Sequence, residues 1–216
     1  MVKTGTTTSS TMITYDETRL IQELATLPPR LRLAFATAAA TRQLPCYDRY
    51  APPRLLQAQL DPASLVTALW QKIRAGDLAP DTWQATLDKL MAVLEQETRD
   101  WRPFDFLAED TLVTVAYAIR CLLDPNPQEA AWAARVVYEA ADQAAIRLHG
   151  EAPSTAAAEA QILAHPFIQR TLGLLHEDLA SLKRRNVEEV FQRACTNPAF
   201  TEAEFARFDA FVPAPD

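Results

Sequence analysis

Asp110 and Asp178 are the first residues in this sequence whose type and setting could do chemistry. Each lies on a strongly apolar helical pattern. Two carboxylates that converge in a cleft are the minimum equipment for general acid–base work. They therefore define one candidate, an interhelical pocket. The alternative is that each is satisfied locally by a hydroxyl, a helix N-terminus or an arginine. Thr114, four residues after Asp110, is an obvious partner of that kind.

The other reactive types form no constellation. His149 sits beside Gly150, His165 precedes Pro166, and His176 adjoins Glu177 and Asp178. Adjacent residues on a helix point in different directions, and no HExxH spacing exists, so no metal site is expected. Cys46, Cys121 and Cys195 are far apart and lie in or beside apolar helices, where an inert thiol is the default. No serine occupies a GxSxG turn. With only 4 glycines there is no Gly-rich phosphate loop. No catalytic residue and no cofactor follow from these patterns.

Charge and aromatic residues point instead to contact. The chain has 28 acidic and 21 basic residues, a formal net charge of -7. That balance argues against nucleic acid, whose binding proteins carry a basic stripe, and suits a basic protein partner. Glu95, Glu97 and Asp100 cluster at a helix end, where they could steer such a partner. Tyr47, Arg49, Tyr50, Trp101 and Arg102 are of the types favoured at binding hot spots. The Tyr47 to Tyr50 group could equally pin its own loop to the fold.

The elements that position these residues read as helices throughout. No segment alternates with period two, and apolar residues recur at helical spacing. The expected fold is an all-α, single-domain bundle of about eight helices. At its centre stands the helix Glu109 to Leu123, apolar on almost every side and so requiring cover all round. Leu112, Val115, Ala116, Ile119, Leu122 and Leu123 trace its main stripe, and Val113 and Tyr117 make a second apolar surface. Caps mark the boundaries: Asp16; Asp61-Pro62; Gly76; Asn126-Pro127 with Glu129; Gly150; Ser154; and the Thr201/Glu204 capping box. Pro45 is expected to end or kink the helix that begins near Arg30. Lys183-Arg184-Arg185 reads as positive charge at a helix C-terminus. Residues 1–14 read as a disordered tail, 15–211 as the domain, and 212–216 as a frayed end. No signal peptide and no run of membrane-spanning length is seen, which places the protein in the cytoplasm.

Several segments resemble one known family. They are Leu27-Pro28-Pro29-Arg30-Leu31 through Leu44-Pro45-Cys46-Tyr47, Val115 to Arg120 with Asp124 to Ala130, Tyr138-Glu139-Ala140, His165 to Gln169, and Glu177-Asp178-Leu179. In this order they are similar to the bacterial YjaG-like family of unknown function, over roughly residues 20–193. The resemblance implies an all-helical bundle in a bacterial cytosol and no catalytic residues. The Thr-rich N-terminus and the Phe-rich C-terminal segment depart from the pattern.

The functional expectation is a non-enzymatic protein-binding module. One concrete version is an immunity protein that neutralises a basic toxin. The competing expectation is a small-ligand binder or enzyme with Asp110 and Asp178 in an interhelical pocket.

Overall fold

The computed structural model describes residues 12–80, 82–96, 102–150 and 154–211. Among them are eleven helices and no strand. The count exceeds the expected eight because five- to ten-residue segments between prolines and caps close turns of their own.

Local chemistry explains most boundaries. Helix α1 (Glu17–Ala25) starts where the Asp16 carboxylate accepts from the Arg19 N–H at 2.9 Å. Helices α2 (Pro29–Tyr50) and α3 (Pro53–Gln57) each open on proline, whose missing N–H costs nothing in a first turn. Asp61 caps α4 (Pro62–Ala75), and Gly76 closes it at φ 71°, a left-handed conformation that glycine adopts without a Cβ penalty. Helix α5 is Trp83–Leu94 and α6 is Phe106–Leu123. Asn126 caps α7 (Pro127–His149) through the Gln128 N–H. Thr155, one residue later than the expected Ser154, caps α8 (Ala156–Leu163). The His165 ring accepts from the Phe167 N–H at the start of α9 (Pro166–Lys183). Asn186 caps α10 (Val187–Thr196), and the Thr201/Glu204 capping box opens α11 (Glu202–Asp209).

Two helices share the centre, not one. Helix α6 is buried as its composition requires, with Leu107, Leu112, Val115 and Ile119 fully enclosed. Helix α2 is buried more completely still, from Leu33 through Ala40 without a break. Five alanines in that run give it little side-chain bulk, so α4, α6, α7, α9 and α10 can all approach its backbone. A helix buried all round has no polar face to give it away, and its alanines are the only signal.

Pro45 does not end α2, which runs on to Tyr50. Proline removes one intrahelical hydrogen bond, but the turn after it is anchored by tertiary contacts. Cys46, Tyr47 and Tyr50 are buried, and the Tyr47 hydroxyl donates to the Leu55 carbonyl at 3.3 Å.

Both ends of the described chain are tied in. Residues 12–14, assigned to the tail by sequence, are not free: the Gln169 amide exchanges two hydrogen bonds of 2.9 Å with the backbone of Ile13. The Phe-rich C-terminal segment is core. Phe104 stacks on Phe208 at 4.5 Å, and Phe167, Phe200 and Phe205 pack edge-on around them. The rest of the expected tail and the expected frayed end, 212–216, lie outside the described residues. Among the described residues no helix is long and apolar enough to cross a membrane.

Candidate functional site

Asp178 is wholly buried on α9, clamped between two arginines from different helices. Its Oδ2 lies 2.7 Å from Arg42 Nη1 of α2, and its Oδ1 accepts from Arg193 Nη1 of α10 at 2.8 Å. Arg193 reaches on to Ser181 Oγ at 3.1 Å and to Glu189 at 2.6 Å. Arg42 is itself only 2% exposed. A carboxylate so enclosed, with both oxygens taken by cations, is a strut between helices and has no room for a substrate. The expected pocket pairing Asp178 with Asp110 is not formed. Next to the strut, the buried Gln43 amide finds no hydrogen-bond partner among the described residues.

Asp110 has the opposite surroundings. Thr114 does not satisfy its carboxylate: the hydroxyl donates to the Asp110 backbone carbonyl at 2.7 Å. No cation or donor engages the carboxylate among the described residues. Burial against the helices, with Glu139 of α7 repelling it, pushes its pKa up to about 7.

The register of α6 against α7 explains why these carboxylates meet. The two helices are antiparallel, joined by the short turn 124–126. Tyr117 meets Trp132 with ring centroids 5.6 Å apart, and the Arg147 guanidinium lies 4.7 Å above the Phe106 ring. Between these two contacts the same register brings Asp110 within electrostatic reach of Glu139. Phe106, Asp110, Val113 and Tyr117 recur every three or four residues, so they share one face of α6. All are half-buried, as are Trp132, Val136 and Glu139 on α7. Asp110 thus sits half-buried between α6 and α7 beside aromatic side chains, with Glu139 at the outer edge, where it is ion-paired with Arg135. Asp142, one turn along α7, is also shifted upward by burial and by Glu139.

The other residues singled out by sequence scatter. Tyr47 is pinned under the α3–α4 region. Tyr50 is buried, and its hydroxyl donates to Asp209 at 2.9 Å. Arg49 pairs with Glu202 and Asp209 across α11. Tyr47 and Tyr50 thus hold the last turn of α2 against its neighbours, while Arg49 lies at the surface beside α11. Tyr50 and Arg102 do share the rim of a cavity of about 230 Å³ walled by Phe104, Phe208 and Phe211. Arg102 is exposed and bonded to the buried Asp105. Glu95 is exposed at the end of α5, while Glu97, Asp100 and Trp101 lie outside the described residues.

Among the described residues no three side chains of His, Cys, Asp or Glu gather in a way that could hold a metal. Burial lifts the Cys121 thiol to about 12 and raises that of Cys46, where Asp110 adds to the effect. Both are enclosed, and only Cys195 on α10 is exposed.

Sequence reasoning missed Arg42, Arg193, Glu139 and Trp132. A signal existed for Arg42, which continues the Leu31, Phe35, Ala38, Ala39 face at helical spacing and so had to be buried. Glu139 stood in the sequence within the family-like segment Tyr138-Glu139-Ala140; in the structure it is also the i, i+4 partner of Arg135.

No family model and no curated protein sequence matches the chain. Its fold is similar to that of a solved structure, a DUF416 family protein from Shewanella baltica OS155. The TM-score is 0.65 at 15% sequence identity, over 81% of this chain and 92% of that one. The likeness is one of fold, to a protein from a family of unknown function.

Proposed function

We propose that the protein is a non-enzymatic binding module whose recognition face is the α6–α7 seam, and that its partner is a basic, partly apolar protein segment. One observation carries the reading: Asp110 is a half-buried carboxylate next to a second one, and no cation serves it among the described residues. Such a group is unfavourable in the free protein, and a partner lysine or arginine would relieve it. Phe106, Val113, Tyr117 and Trp132 supply the apolar surface that a binding hot spot requires. The net charge of -7 adds long-range attraction for a basic protein. A bacterial cytosolic immunity protein acting on a basic toxin is one concrete version.

The test is affinity capture from the native cell, run in parallel with the wild type and with the double variant Asp110→Asn/Glu139→Gln. Circular dichroism would verify that both are folded. A basic protein retained by the wild type and lost by the variant is the expected result. A partner held equally by both would reject the seam as the recognition face.

A further inference from the structure

The seam is acidic, but a cleft elsewhere on the molecule is not. A cavity of about 450 Å³ lies where the start of α2, the end of α4 and the start of α10 meet. Three arginines line it, Arg30, Arg74 and Arg185, with one acid, Glu188. They come from three separate stretches of a chain in which acids outnumber bases.

Each arginine is presented differently. The Arg30 Nε donates to the Ile73 carbonyl at 2.6 Å, which fixes the stem and leaves the two terminal amino groups of the fork. The Arg74 guanidinium lies 3.8 Å above the Phe191 ring and holds both Glu188 oxygens, at 3.0 and 3.2 Å. Glu188 thus neutralises Arg74 and leaves two positive charges over. Arg185 makes no ion pair or hydrogen bond through its side chain among the described residues. Its backbone is left-handed, at φ 59°, in the tight turn that links α9 to α10. Of the remaining lining, Pro28, Leu31 and Val187 are apolar, and Asn186 is polar with its side chain committed to Glu189.

We infer that this cleft binds a small phosphorylated molecule, with Arg185 and Arg30 taking the phosphate and the apolar wall taking the organic part. The planar forks of arginine match phosphate oxygens in pairs. The cavity is within the size range of small-ligand sites. Arg74, stacked and ion-paired, positions the rim rather than supplying free charge.

The test is calorimetric titration of the full chain with inorganic phosphate, glycerol 3-phosphate and glycerol, each in chloride buffer. Arg185→Gly is the first variant, because glycine accepts the left-handed backbone and the fold has no reason to suffer. Arg30→Gln is the second. Glycerol 3-phosphate should bind and glycerol should not. Each variant should weaken the phosphorylated ligand by about 10- to 100-fold, the loss expected for a charge-assisted contact. If inorganic phosphate binds as tightly as the ester and the variants weaken it equally, the ligand is the free anion held by the same two arginines. Absence of binding by either phosphate, or binding that survives both substitutions, overturns the site.

Discussion

Asp178 and Asp110 are the same side chain, each on a helix packed into the core, and they meet opposite fates. Asp178 is deeper, yet it lies between Arg42 and Arg193. Asp110 is shallower, yet it faces another carboxylate and no cation among the described residues. Depth alone therefore does not decide what a buried charge is for. A charge supplied with its counter-charges by the fold is structural, and one left without them is available to something outside the fold.

The sharpest way to break this comparison is to remove the structural member. Asp178→Ala leaves Arg42 buried without its counter-charge and should destabilise the protein by roughly 3–5 kcal/mol, read from urea denaturation. A loss below about 1 kcal/mol, the size seen for exposed ion pairs, would show that the clamp is not needed. Ile119→Ala is the uncharged yardstick. Ile119 is fully buried in α6, and its truncation should cost roughly 2–5 kcal/mol. A change within about 0.5 kcal/mol would contradict the central place given to α6.

Asp110 should respond with the opposite sign. Its folded pKa is raised from 3.8 to about 7, so across that interval the folded state binds the proton more tightly than the unfolded state. Stability is therefore highest at acid pH and falls as pH rises from about 4 to about 7 through this group. Asp110→Asn removes that fall. It should stabilise the protein by roughly 2–4 kcal/mol at pH 8 and have little effect at pH 4. Equal effects at both pH values would mean that the carboxylate is not strained by its surroundings. The smallest effect is expected at Arg49, whose partners Glu202 and Asp209 are exposed. Arg49→Gln should leave the denaturation midpoint unmoved, because solvent screens such pairs. A clear shift would promote the α2–α11 contact to a structural clamp like that of Asp178.

What could be read in advance follows the range of the interactions. Caps at Asp61, Asn126 and Thr201, and the stops at Gly76 and Gly150, act within one turn, so the sequence displays them directly. The all-α class follows from spacing that repeats over every segment. Pro45 misled because its local penalty is overridden by contacts of Tyr47 and Tyr50 with residues beyond their own helix, Leu55, Leu60 and Asp209. The Asp178 clamp joins residues from α2, α9 and α10, and nothing in the sequence aligns them. The arginine cleft is invisible for the same reason, since Arg185 reads locally as an ordinary helix-end charge. Asp110 was legible as a residue and not as a setting: its neighbour Glu139 emerges only once the register of α6 on α7 is known.

The cysteines supply a clock for the whole molecule. Alkylating reagents at alkaline pH should add one mass increment to the native protein, at Cys195, and three to the unfolded chain. Cys46 sits in α2 and Cys121 in α6, the two helices at the centre, so each thiol reports when its own helix is laid bare. Species with two increments would mean that one central helix opens without the other. A jump from one to three would mean that the two part from their neighbours in a single cooperative event. Intact-mass spectrometry over time thus measures how the interior comes apart, with no engineered probe.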